Sequence, residues 1–247
     1  MTTTDEQATS RVIAEDTGNI GAAFYFHPAT LAHGKELGLD GFRFYVLGRG
    51  GALGDVTSGV IRSAFGYFEL GLVEKMWGSA KEVVEPRTAA QAYWNECGAR
   101  GRELFADLDA AVLDAYNDAA QAVIDAQPRG GLPLFAATTD LVKAEDAPAL
   151  AMQNAAVLRE MRGSAHLCGV LASGLTEAQA HCYRRPDMVQ GFGYSEAPEL
   201  PDDIDDRLAE AERITDVIVG VGFGALSPAQ HAALLAGTEA MAAALAR

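Results

Sequence analysis

The chain has 247 residues and a mass of 26.0 kDa, enough to bury a sizeable core as one large domain or two small ones. Nineteen Lys and Arg face 34 Asp and Glu, a net charge of −15. A field of that sign repels nucleic acid and anionic lipid at long range, so DNA binding would need a local basic patch, and the sequence shows none.

Cys97, Cys168 and Cys182 are far apart, odd in number and in no C-x-x-C spacing, which argues against a disulfide framework and against structural zinc. Met1 to Ser10 is polar, without the apolar core of a signal peptide. No apolar run approaches the ~18 residues of a membrane span. The expectation is a soluble, cytoplasmic protein with no membrane partner.

In chain order, residues 1–17 read as a polar lead-in. Pro28 suits the first turn of a short helix that Gly34 or Gly38 would stop. Asp40 is the expected N-cap of a helix with Phe42, Tyr45, Val46 and Arg49 on one face, ended by Gly50-Gly51. A strand over Phe42–Leu47 competes, because aromatics and Val favour strands too. Val56 to Trp77 reads as a long apolar helix or a helix pair, with Ile61, Phe65, Phe68, Leu72 and Met76 at three- and four-residue steps and Glu69 among the aromatics. Pro86 marks a start, and 88–124 reads as one broken or two consecutive amphipathic helices.

Pro128 to Pro133 is the clearest break, with Leu134–Ala137 as an extended arm after it. Pro148 precedes a central helix at about 149–172. Thr176 begins another, which Arg184-Arg185-Pro186 stops near Tyr183. After a loop, two helices close the chain, at 203–219 and 227–246, the second opened by Ser227 as N-cap and Pro228 at N1. Few segments read as strands. The fold class is mainly α.

Within the central helix, Arg159, Arg162 and His166 stand at i, i+3 and i+7 and share one face. Two guanidiniums and an imidazole suit an anionic ligand, with His166 able to move a proton near neutral pH. The competing reading is a brace: the arginines pair with acids such as Glu69 or Glu160, and His166 is an interior histidine. Gly163 costs ~1 kcal/mol against Ala inside a helix, which points to close approach of another backbone or a ligand.

A second group is Arg43, Tyr45 and Arg49 beside Gly48, Gly50 and Gly51, in no phosphate-loop spacing, so a tight turn is the alternative. His27 and His33 lack metal spacing, and a haem would need one of them in an aromatic pocket. The cofactor is left unknown, haem or flavin being what an absorbance spectrum would reveal. His181 and His231 read as surface residues. Gly220–Gly224 has no parallel sheet around it to make a dinucleotide fingerprint.

The run Leu158-Arg159-Glu160-Met161-Arg162-Gly163-Ser164-Ala165-His166, with Gly38-Leu39-Asp40-Gly41-Phe42 and the 131–137 arm, resembles an actinobacterial family of helix-turn-helix or winged-helix (MarR-like) proteins, some members of which lie near antibiotic biosynthesis clusters. The likeness runs over about residues 20–247. It implies two helical lobes around a central helix, at 18–127 and 134–247, the second a degenerate winged-helix-like unit. Where that pattern would carry a basic recognition helix and wing, Tyr183 to Arg213 is short and acidic, with Glu196, Glu199, Asp202, Asp203, Asp205, Asp206, Glu210 and Glu212. Nucleic acid is therefore not an expected partner.

The expected function is small-molecule binding, in the form of a metal-independent enzyme of specialised metabolism. His166 and Tyr45 would be catalytic, and Arg159, Arg162, Arg49, Arg43 and Glu69 would bind the ligand. The alternative is a MarR-like regulator or its non-DNA-binding relative. Glu212–Asp216 resembles a dimerising helix, and the apolar stretch 232–245 suits either a homodimer or internal packing.

Overall fold

Helix boundaries in this chain are set by side chains that satisfy the first free N–H groups. Asp40 accepts from the N–H of Phe42 and Arg43, at 3.1 and 2.9 Å. Thr176 with Gln179, and Ser227 with Gln230, form reciprocal capping boxes. Pro28, Pro86, Pro133 and Pro228 each stand in a first turn, where a missing N–H costs nothing.

The computed structural model describes residues 5–247, with side chains from Thr9 onward. It contains α1 (Asp5–Ala22), α2 (Pro28–Glu36), α3 (Gly41–Gly50), α4 (Ser58–Phe65), α5 (Leu70–Lys81), α6 (Pro86–Phe105), α7 (Ala110–Ala126), α8 (Pro133–Thr138), α9 (Ala147–Ala172), α10 (Glu177–Arg184), α11 (Ile204–Phe223) and α12 (Pro228–Leu245). Single 3-10 turns lie at Gly51–Leu53, Pro186–Met188 and Gln190–Phe192, and no strand occurs among the described residues. The fold is mainly α.

Two expectations are corrected. The expected lead-in 1–17 is helical from Asp5; residues 1–4 lie outside the described residues. The inner face of α1 is Ser10, Ile13, Thr17, Ile20 and Gly21, helically spaced but too polar and small to register as an apolar stripe. The Leu134–Ala137 arm is the short helix α8, begun by Pro133 and buried at Leu134, Phe135 and Ala137. The apolar stretch 56–77 is a helix pair. Its break is Gly66, at φ +74, where a Cβ would lie 2.6 Å from the Leu167 side chain.

Helix α9 is the axis of the molecule. It packs against α1, α6, α7, α8, α10 and α11, and most of its 26 residues are buried. Small side chains make that crowding feasible: Ala149, Ala151, Ala155, Ala156, Ala165 and Gly169. Gly21 of α1 brings its backbone so near that a Cβ would sit 2.8 Å from the Ala156 Cα. One core runs from Ile13 to Ala244. A smaller cluster of Val170, Leu175, Ala180, Ile204, Leu208 and Ala211 seats α10 and the start of α11 on the end of α9.

No single described helix is long and apolar enough to cross a membrane. The pair α11 and α12 reaches that composition only together, bent by 116°.

Candidate functional site

A cavity of about 400 Å³ lies between α1, α9 and the aromatic segment around α4, within the range of small-molecule sites. Its apolar wall includes Tyr45, Phe65, Phe68 and Phe192, and its polar wall Arg49, Arg159, Glu160, Arg162 and Ser164. At its rim stand Gly18 of α1 and Gly163 of α9, where an added Cβ would meet nothing within 4 Å. The expectation of a close contact at Gly163 is thus answered by space, not by a neighbouring backbone.

The deepest polar group is an ion pair made across the fold. The Arg49 Nε and Nη2 donate to Glu160 at 2.8–3.1 Å, and Arg49 Nη1 donates to the Tyr45 hydroxyl. Tyr25 donates its hydroxyl to Glu160 at 2.8 Å. From one position along α9, Arg159 Nη1 reaches the Tyr25 oxygen at 2.9 Å and Glu160 at 3.2 Å.

Burial pushes the Glu160 carboxyl upward, but Arg49 and Arg159 outweigh it and hold it below the usual carboxylate range. Burial lowers both guanidiniums, and it is outweighed by Glu160 and Tyr25, so both stay charged. Two cations share one carboxylate. The Arg49 guanidinium also lies 4.7 Å from the Phe65 ring centre and 5.0 Å from that of Tyr45, within cation–π range.

One turn further along α9, Arg162 donates to Glu212 of α11 at 2.6 Å, and Arg184 of α10 reaches the same carboxylate at 3.2 Å. His166 Nδ1 lies 3.2 Å from the Thr215 hydroxyl and 3.8 Å from Glu212. The Thr215 hydroxyl hydrogen is directed at the Ala211 carbonyl, 2.7 Å away, so His166 Nδ1–H is the donor in that contact.

Burial lowers the His166 pKa, Arg162 and Arg184 lower it further, and Glu212 opposes them. A depressed folded value means that its contribution is present above the unfolded value near 6.5 and is lost as pH falls through the folded one. His166→Gln is therefore expected to reduce the drop in Tm between pH 7.5 and 5.5. An unchanged drop would remove His166 from the acid response. His181, lowered by burial and by Arg185, has the same sign.

The connector between α10 and α11 forms the far wall. The Phe192 ring stacks on Phe68, with centroids 4.2 Å apart and planes 8° apart, and packs tilted against His181 at 3.7 Å. The Phe192 carbonyl accepts from the Glu69 N–H at 2.9 Å, and the Tyr194 hydroxyl donates to the Tyr67 carbonyl at 3.0 Å.

Several buried polar atoms on residues lining the cavity have no partner among the described residues: Thr17 Oγ1, Tyr67 OH, Arg162 Nε, Ser164 Oγ and His181 Nε2. Thr17 and Ser164 are each 5% exposed. Buried polar groups are ordinarily bonded, and each one left unpaired costs about 1–3 kcal/mol.

Of the residues singled out in the sequence, Arg159, Arg162, Arg49 and Tyr45 line this cavity, and His166, Arg43 and Glu69 do not. Arg43 pairs with Asp40 at 2.7 Å. Glu69 caps α5, accepting from the Leu72 N–H at 3.0 Å, and the Gly71 and Leu72 N–H groups hold its carboxyl low. His33 faces Glu96 at 2.7 Å, away from the cavity. No group of three or more His, Cys, Asp or Glu side chains is placed to hold a metal among the described residues.

Sequence reasoning missed Tyr25, Tyr67, Phe192 and above all His181, which packs tilted against Phe192 in the wall and is only partly exposed. Each is an aromatic ring whose neighbours come from other helices or from the connector, so its place becomes visible only once the helices are packed. A family model described as a helix-turn-helix family matches residues 10–203, from α1 to the end of the connector. No curated protein and no solved structure matches the chain.

Proposed function

The chain belongs to this helix-turn-helix family, and from that premise we propose that it is a small-molecule-binding member whose α10–α11 connector walls a ligand cavity instead of reading DNA. The observation that supports this reading most is a cavity of about 400 Å³ whose inner wall holds one more guanidinium than carboxylate. A ligand with acceptor oxygens pairs that excess charge. The connector, at 185–203, has two single 3-10 turns and no helix that could enter a groove. It carries Glu196, Glu199, Asp202 and Asp203, the wrong charge for phosphates. Because Arg49 engages the Tyr45 hydroxyl and His166 lies outside the cavity, binding, not turnover, is the role we assign.

The test is occlusion at the rim. Gly163→Trp places a large ring where a Cβ meets no neighbour, so it is expected to fold with a Tm near that of the parent. Native mass spectrometry of both proteins as purified is expected to show a small molecule retained by the parent and absent from the variant. Equal retention would remove the ligand from this cavity.

A second reading, a ligand-responsive regulator, is favoured by Arg162, which lines the cavity and shares Glu212 with Arg184. A ligand that draws on Arg162 therefore acts on α10 and α11 together. Under this reading, a gel-shift at low salt with the DNA upstream of the protein's own gene would give a sequence-specific complex. Under the first reading it gives none.

A further inference from the structure

Resting on the reading that the cavity binds a small molecule, we infer that its ligand is a monoanionic carboxylate on a flat ring system, gripped by Arg159 and Arg162 with its ring against Phe65, Phe68 and Phe192. Charge sets the anion. Arg49 and Arg159 share Glu160, leaving one positive charge in excess at the inner wall. Arg162 is paired with Glu212, and the further cation on that carboxylate, Arg184, is half exposed and faces water. One excess charge at the inner wall, on the half-buried Arg159, matches a singly charged carboxylate. A phosphate monoester, carrying close to two charges at pH 7, would bury a charge without a partner.

Donor geometry sets the head group. Arg159 and Arg162 are three residues apart on α9, which puts them about 5–6 Å from each other at Cβ, a span one carboxylate can bridge. Among the described residues Arg159 uses Nη1 for both of its bonds. Of its five N–H donors, those on Nη2 and Nε therefore have no partner there. Arg162 Nε and the Ser164 hydroxyl are fully buried and, among the described residues, also unpartnered, so the free donors of Arg159 lead the grip. All of these can donate, and a carboxylate only accepts.

Shape sets the body. Phe68 and Phe192 lie parallel, and Phe65, Tyr45 and His181 complete a wall of ring faces and edges. Ring systems prefer offset-stacked or edge-to-face contact with such a wall, worth about 0.5–1.5 kcal/mol per pair beyond area burial.

Isothermal titration of the full chain decides the class, using benzoate, 2-naphthoate and indole-3-carboxylate, each beside its neutral amide, and 2-naphthyl phosphate at pH 8. At least one carboxylate is expected to bind at least tenfold tighter than its amide and than the phosphate. Arg159→Gln is expected to erase that preference, and Gly163→Trp to remove the binding itself. If the amides bind as tightly as the acids, or the phosphate binds tightest, the carboxylate assignment falls. The cavity reading survives that result as long as Gly163→Trp still removes binding. A molecule without a carboxylate, retained by the purified parent and lost in Gly163→Trp, likewise overturns the class alone. If no probe binds and nothing is retained, the cavity reading and the ligand class fall together.

Discussion

Replacing Glu160 by Ala is expected to lower stability by about 3–5 kcal/mol, the usual cost of breaking a buried ion pair from one side. Glu160 and Arg49 side chains are 8% and 13% exposed. The carboxylate is the common acceptor for Arg49, Arg159 and the Tyr25 hydroxyl. Its removal leaves two guanidiniums without a carboxylate, with the Tyr45 and Tyr25 hydroxyls as their polar neighbours. Glu160→Gln keeps the shape and an oxygen for Tyr25 and loses the charge, so a smaller loss is expected.

The double substitution Arg49→Met with Glu160→Met should recover part of the deficit, because the apolar pair has no charge to desolvate and only Arg159, partly exposed, is left without its carboxylate. Urea unfolding with a common m-value reads all three. A loss under about 1 kcal/mol for Glu160→Ala would mean that water reaches this cluster and that the pair behaves as a surface one. The pH sign agrees: the depressed Glu160 pKa contributes stability above the unfolded carboxylate value, lost as pH falls through the folded one.

That cluster marks the limit of what the sequence could reveal. Local signals were legible: the Asp40 cap, the Thr176 capping box, the Ser227-Pro228 start and the central helix all follow from a few neighbouring residues. The shared face of Arg159 and Arg162 was legible too, since helical spacing alone places both against one cavity. Of their partners, Glu160 was named and does meet Arg159 at 3.2 Å; the distant ones were not legible. Arg49 meets Glu160 across 111 residues, and Arg162 meets Glu212 across 50.

His166 shows why angular reasoning needs an axial term. Seven residues from Arg159, it points nearly the same way but sits roughly 10 Å further along the helix at 1.5 Å per residue, beside α11. The first helix stayed hidden for a different reason. Its buried face is made of Ser10, Thr17 and Gly21 as well as Ile13 and Ile20, so close approach to α9 holds it beside the burial of two isoleucines.

Gly169→Ala and Gly163→Ala, the same change six residues apart on α9, are expected to move stability in opposite directions. In a helix interior either substitution gains up to about 1 kcal/mol from propensity. At Gly163 nothing lies within 4 Å of the new methyl, so the gain stands. At Gly169 the methyl would lie 2.4 Å from the Ala211 carbonyl oxygen and 3.0 Å from Thr215 Oγ1. The α9–α11 crossing must open, at about 1–3 kcal/mol for overpacking, which outweighs the propensity gain. Because Thr215 and Glu212 hold His166 and Arg162, Gly169→Ala should also disturb the cavity from behind.

Thermal unfolding of the two variants reads the sign directly. A stabilised Gly169→Ala would mean that α9 and α11 are not locked at this crossing. The pairing with function comes from Gly163. A helix that is less stable than it could be, with no packing to justify the glycine, is what access to a cavity requires. Gly163→Ala should therefore raise the Tm and weaken retention of the ligand in the same protein.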